Sequence, residues 1–303
     1  MKTILDFIRF GASEFGRAGL SFGHSYDNAL DEATQLVLHA LHLPHDLSPV
    51  YGAARLTKEE QEEIRALFRR RIGERIPACY LTGEAWFAGL CFSTDSRALV
   101  PRSPIAELVE SGFSPWIDHI DVGSALDMCT GSGCIGIAMA VYNPGWSVDC
   151  VDLSQEALTL AAENVERFEV ADRVRLVQSD LFASLGGRRY DLIVSNPPYV
   201  THAEYAAMPA EYAHEPQLGL TSGDDGLDLT LRMLDEAANH LNGQGVLIVE
   251  VGESQRALET LLPDVPFAWV EFKVGQMGVF VLQREDLVEH AGAIAAARAA
   301  RTT

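Results

Sequence analysis

Residues 125–140 read ALDMCTGSGCIGIAMA. An apolar strand runs into a glycine turn, and an apolar helix follows. Gly131, Gly133 and Gly136 match G-x-G-x-x-G. Small residues there let a ligand approach bare backbone, and the helix start offers free N–H groups. Asp152 stands about 20 residues on, at the end of the next strand. A carboxylate at that point can accept both hydroxyls of an adenosine ribose. The pattern alone serves NAD and S-adenosylmethionine equally, and a plain tight strand-to-helix turn would also produce it. Asp127, just ahead of the turn, sits where the methionine end of S-adenosylmethionine would lie, which favours that cofactor.

Outward from the turn, strands and helices alternate. Strands are expected at 124–129, 147–153, 174–179, 190–195 and 245–252, and helices at 134–143, 154–168, 226–241 and 254–262. The alternation implies an α/β fold, a parallel sheet doubly wound with helices on both faces. The end departs from it. FAWVEFKVGQMGVFVLQ, residues 267–283, holds two strand-like runs around Gly275 with no helix between them. That predicts an antiparallel hairpin, where a dinucleotide fold would end in parallel strands. The tail HAGAIAAARAARTT, residues 290–303, reads as a loose alanine-rich helix.

Ahead of the sheet the texture is helical. Leu30, Ala33, Leu36, Val37, Ala40 and Leu41 recur at helical spacing. Thr57 and Glu60 form a capping box before the stripe Ile64, Leu67, Phe68 and Ile72. The run RALFRRRIGER, residues 65–75, reads as a solvated helix face. Residues 76–104, with their aromatics and glycines, read as a strand hairpin between two domains. Ser103 is then the expected cap, and Pro104 the first position, of the next helix. The organisation expected is a helical substrate-recognition domain over 1–78, a linking hairpin over 79–102, a catalytic domain over 103–285 and a tail over 286–303.

The chain has 303 residues and a formal net charge of −20. Binding a nucleic acid through its phosphates calls for a basic face, so a direct nucleic-acid partner is not expected, whereas a basic protein is. No apolar run long enough for a membrane span occurs. The N-terminal stretch lacks a signal-peptide core, and the five cysteines form no C-x-x-C pair, so a reducing cytoplasm is the expected setting.

The fourth strand ends in SNPPYV, residues 195–200. Together with DMCTGSG, VDLSQEAL and QSDLF, in this order, it resembles the class I methyltransferases that use S-adenosylmethionine. N-P-P-Y is similar to the motif of enzymes that methylate planar amide or exocyclic amine nitrogens. The resemblance implies that the Asn196 side-chain oxygen accepts one N–H of the target, the Pro197 carbonyl accepts the other, and Tyr199 packs on the amide plane, with Pro198 and Arg102 also at the substrate. It places the cofactor on Asp127, Cys129, Thr130, Gly131, Ser132, Gly133, Asp152, Leu153, Asp180, Leu181 and Asn196. Asp180 is placed either to hold the adenine amine or to cap a turn, and Cys129 and Cys134 also read as small core filler. The residue types suit the chemistry. An amide nitrogen is a feeble nucleophile because its lone pair is delocalised into the carbonyl. Two acceptors on its N–H groups bias the lone pair outward and stabilise the growing positive charge. In-line transfer from a good leaving group requires no metal.

A helical domain, a linking hairpin and this catalytic domain resemble the protein-glutamine N(5)-methyltransferases over residues 1 to about 285. EPQLGLTSGDDGLDL, residues 215–229, looks like the loop those enzymes carry after N-P-P-Y. Release-factor enzymes of the group carry P-R-P-[DE]-T-E between domains. Here the stretch is VPRSPIAELVE, whose P-R-S-P-I resembles the branch acting on large-subunit ribosomal protein three, and GEAWFAG, residues 83–89, fits that branch. Release factors stay the alternative acceptor. More distant alternatives are a DNA adenine methyltransferase, which shares N-P-P-Y, an NAD-dependent oxidoreductase, and a non-catalytic adenosine binder. Glu250, at the end of the fifth strand above the ligand-binding edge, reads as a surface acid or else as a substrate contact, and nothing in the sequence makes His214 a base.

Overall fold

Four helices, α1 (Ile4–Arg17), α2 (Ala29–Ala40), α3 (Lys58–Glu74) and α4 (Ala78–Thr82), open the chain in the computed structural model, which describes residues 1–24, 26–273 and 278–301. Thr57 and Glu60 form the expected capping box of α3, and Thr3 with Asp6 forms one on α1. Phe7, Phe15, Ala33, Leu36, Val37, Ile64 and Phe68 make a separate core here. Leu30 is not part of it. It lies in the first turn of α2 and is 54% exposed. The run 65–75 is not simply a solvated face either. Ile64, Phe68 and Arg71 lie at i, i+4 and i+7 of α3, so the helical period turns Arg71 inward, where it is fully buried.

A two-stranded antiparallel hairpin follows, β1 (Glu84–Phe87) with β2 (Leu90–Ser93). The expected hairpin is thus shorter than 76–104, because residues 78–82 are the helix α4. The next helix, α5 (Ile105–Glu110), starts one residue later than expected, with Pro104 rather than Ser103 at the cap position; the Ser103 hydroxyl accepts the Ile105 N–H at 3.2 Å from one residue further out.

The main body alternates as the sequence implies: β3 (Ser124–Met128), α6 (Cys134–Tyr142), β4 (Ser147–Asp152), α7 (Gln155–Arg167), β5 (Val174–Gln178), β6 (Tyr190–Ser195), α8 (His202–Ala207), α9 (Asp228–His240), β7 (Leu241–Glu250), α10 (Gln255–Leu261), β8 (Ala268–Trp269) and β9 (Val279–Gln283). The seven-stranded sheet has the order β5-β4-β3-β6-β7-β9-β8. Five strands run parallel, and β9 lies antiparallel between β7 and β8. This is the expected α/β methyltransferase sheet with an antiparallel final pairing; Gly275 lies outside the described residues. Apolar side chains fill both faces, as parallel strands require.

The tail is not loose. α11 (Arg284–Glu289) and α12 (Ala291–Ala299) pack on α9 and β7, with Ile294 fully buried. Arg298 bonds Asp235 at 2.6 Å, and Arg301 bonds Asp228 at 3.0 Å. Among the described residues no helix is long and apolar enough to cross a membrane.

Candidate active site

The strand order reverses direction between β3 and β6, and a cavity of about 280 Å³ opens beyond the C-terminal ends of these strands. An open α/β sheet binds its ligand at such a point. The volume is room for on the order of ten waters.

One wall is the glycine turn. Gly131 has φ +55° and Gly133 φ +82°, conformations that side-chain-bearing residues rarely adopt. Cys129 and Leu181, both at the cavity, hold φ values of +61° and +47° without being glycine, the kind of strain that gathers at functional sites. The turn is held by carboxylates at both ends. Asp152 accepts the Gly131 N–H at 2.9 Å on one oxygen and the Ser154 N–H at 2.8 Å on the other. Burial pushes the Asp152 carboxyl up, against the backbone N–H groups of Ser154, Gly131 and Leu153. Thr130, Gly131, Ser132, Asp152, Leu153, Asp180 and Leu181 all reach the cavity with Cys129.

Two of the residues expected at the cofactor do not line the cavity. Asp127 is fully buried and does not reach the cavity wall. Strand alternation sends Leu126 and Met128 to one face and turns Asp127 to the α6 side, where Oδ2 accepts the Thr130 hydroxyl and, at 2.8 Å, the Gly136 N–H. It braces the turn from behind, and burial pushes it up to about 7. Gly133 is likewise behind the wall, at the cap of α6. Asp180 caps no turn with its side chain. It pairs with Arg232 at 2.9 Å, and Ser179 instead accepts the Ser184 N–H. Burial pushes the Cys129 and Cys134 thiols up, so neither is a ready nucleophile.

The opposite wall starts where β6 ends. Asn196, Pro197, Pro198 and Tyr199 all line the cavity. The two prolines have no N–H to contribute, which leaves their carbonyls as the polar groups of that stretch. Among the described residues the Asn196 side-chain amide has no hydrogen-bond partner. Ser195 anchors the strand end by donating to the Met128 carbonyl at 2.6 Å. The Tyr199 hydroxyl donates to Glu250 at 2.8 Å, and Glu250 is 4% exposed, so the surface-acid reading of Glu250 is corrected. It ends a central strand under the linker, and burial pushes its carboxyl up to about 7.

Sequence reasoning missed how the segment after Tyr199 joins the site. Met208, Tyr212, Pro216, Leu218 and Leu220 complete the wall, with Arg97 to Ser103 of the linker beside them. The helical domain holds this segment in place. Arg71 binds Glu32 at 2.7 Å, Glu211 at 3.1 Å and the Ser21 carbonyl at 2.8 Å. Burial would raise the Glu211 carboxyl, but the Ser21 N–H and Arg71 outweigh it and hold it below the usual range. Glu215 accepts the Val100 N–H at 3.1 Å and pairs with Arg102 at 2.9 Å. His24 Nε2 lies 3.3 Å from the same carboxylate, without hydrogen-bond alignment. Arg102 also lies 5.2 Å over the Tyr212 ring. His214 is spoken for by the Glu74 carbonyl at 2.8 Å. The available signal for these contacts was weak: acids in a glycine-rich loop and arginines on one helix, far apart in sequence.

The methyltransferase small domain model matches residues 111–212. Over 301 residues, 63% are identical to the ribosomal protein uL3 glutamine methyltransferase of Xanthomonas campestris pv. campestris, covering 99% of this chain and 97% of that one. The enzyme of that name from Xylella fastidiosa is 63% identical over 99% of this chain and 96% of its own. That from Neisseria gonorrhoeae is 48% identical over 95% and 96%. Near-full-length identity of this degree, over the cavity and the domain that braces it, means that the chain belongs to the family of ribosomal protein uL3 glutamine methyltransferases.

Proposed function

We propose that the chain methylates a glutamine side-chain nitrogen of ribosomal protein uL3, with the glycine turn and Asp152 holding S-adenosylmethionine and Asn196 to Tyr199 holding the amide. The observation that carries the reading is that these two sets of residues line one cavity. The fit to the cofactor rests on Asp152, whose oxygens each take one backbone N–H and keep lone pairs for ribose hydroxyls. Thr130, Gly131 and Ser132 bring backbone to the same wall, Leu153 and Leu181 supply apolar surface, and Asp180 lies beside them. When bound, S-adenosylmethionine supplies an electrophilic methyl group on a sulfonium.

The Asn196 side-chain oxygen and the Pro197 carbonyl accept the two N–H bonds of the acceptor amide, and Tyr199 and Pro198 pack on its plane. These contacts turn the nitrogen lone pair away from its own carbonyl and stabilise positive charge on that nitrogen. The proton then leaves to water. Arg102, fixed by Glu215, stands at the acceptor mouth. The net charge of −20 attracts a basic ribosomal protein before it is buried in RNA, and repels an assembled ribosome. A cytoplasmic setting is in keeping with five cysteines that form no C-x-x-C pair.

The test is competition. Ribosomal protein uL3 and a release factor are offered at equal concentration with labelled S-adenosylmethionine at two salt levels. The expected result is faster labelling of uL3 that slows as salt rises. Faster labelling of the release factor overturns the acceptor.

A further inference from the structure

Ser103 marks the linker and Glu250 ends β7, and both connect to Tyr199. Glu250 Oε1 accepts the Tyr199 hydroxyl at 2.8 Å, and Oε2 accepts the Ser103 hydroxyl. Ser103 is itself fixed, because its oxygen accepts the Ile105 N–H at 3.2 Å. The tyrosine ring is held elsewhere too. At Gly252 a Cβ would stand 2.6 Å from the ring, so the ring rests against bare backbone there. Ser254 donates to the Tyr199 carbonyl at 3.2 Å. A tyrosine ring has two torsions, and a packed edge with a tethered hydroxyl fixes both. The tether runs through a carboxyl that is 4% exposed, so water does not substitute for a lost partner without cost.

We infer that Ser103 and Glu250 are positioning residues for methyl transfer: through Tyr199 they set the angle at which a planar primary amide meets the methyl donor. The inference rests on the reading that residues 196–199 hold that amide. It also gives the linker's P-R-S-P-I a physical role. A proline at this position, as in P-R-P-[DE]-T-E, has no hydroxyl to offer Glu250, so the two linkers cannot orient the tyrosine by the same bond. Small misplacements of a reacting group cost much in turnover, whereas the cofactor wall lies on other strands and is untouched.

The experiment uses the full chain, uL3 and S-adenosylmethionine in steady state, with calorimetry for cofactor affinity and thermal melts for folding. Glu250→Gln keeps the side-chain volume but replaces one acceptor oxygen with an NH₂ group. Its kcat should fall about tenfold, with cofactor Kd within twofold of wild type, as expected when geometry rather than binding is lost. Ser103→Ala should lower kcat severalfold, and Ser103→Thr, which keeps the hydroxyl, should restore it to within twofold. Combining Ser103→Ala with Glu250→Gln should cost little more than Glu250→Gln alone, because both act through one contact. Wild-type kcat in Glu250→Gln overturns the inference, as do losses that multiply in the double variant or a Ser103→Thr variant no better than Ser103→Ala. If the wild-type chain labels no glutamine, the functional reading itself fails, and this inference with it.

Discussion

On the cofactor side of the cavity the shaping bonds span few residues, 21 from Gly131 to Asp152 and 9 from Asp127 to Gly136. On the acceptor side they span 147 from Ser103 to Glu250, 140 from Arg71 to Glu211 and 113 from Arg102 to Glu215. The first wall is built on one strand–turn–helix–strand unit, which Asp180 and Leu181 after β5 extend. The second exists only when the helical domain, the linker and the end of β7 come together. A change in the helical domain should therefore disturb the acceptor wall and spare the cofactor wall.

The harshest break of that comparison is Arg71→Ala. It leaves Glu32 buried without its cation and Glu211 with Arg75 alone, at 3.4 Å. Stranding a partner of a buried pair costs about 3–5 kcal/mol. We expect a loss of that order in denaturant unfolding, with the segment around residues 201–221 losing hydrogen-exchange protection first. An unchanged unfolding midpoint would mean that the cluster does not brace the segment.

Asn196→Ala tests the acceptor wall directly. Turnover on uL3 should fall roughly a hundredfold or more, as for loss of one oriented transition-state group, while cofactor affinity stays near wild type. Wild-type kcat in this variant would remove the amide grip from the mechanism.

Asp152→Ala is the mirror experiment on the local wall. Losing two charge-assisted hydrogen bonds of roughly 1.5 kcal/mol or more each should raise the cofactor dissociation constant at least tenfold. If calorimetry shows the same constant as wild type, Asp152 does not hold the ribose.

The contrast also explains what could be read from the sequence. The parallel sheet, its final antiparallel pairing, the glycine turn and N-P-P-Y were legible because each is written in adjacent residues with a fixed period or spacing. The roles of Arg71 and Glu250 were not, because an arginine on a charged helix and an acid at a strand end look solvated until something packs over them. The orientation of Asp127 was not legible for a related reason. The motif gives its position on the strand, but only the pleat says to which face it points. Leu30 fails in the same way, since a helical stripe does not say where the neighbouring helix stops covering it.

Asp127 and Asp152 therefore make the finest version of the comparison, one a brace behind the turn and one a contact in front of it. Asp127→Asn keeps an oxygen for Thr130 and Gly136 and should leave the cofactor dissociation constant within about threefold of wild type, in contrast to the Asp152 variant. Its signature lies in the pH dependence of stability. Burial pushes the folded-state carboxyl up to about 7, against about 4 for an exposed aspartate. Between those values the folded chain keeps a proton that the unfolded chain has released, so this group makes stability fall as pH rises, by at most about 1.4 kcal/mol per pH unit. Above about 7 both states are ionised and the slope from this group ends. The amide introduced by Asp127→Asn cannot ionise, so the variant should gain on wild type as pH is raised from 5 to 7 and hold a constant difference beyond. Parallel stability curves over that range would show that the Asp127 carboxyl titrates normally in the fold and is no buried brace, and a tenfold weaker cofactor would return it to the front of the wall.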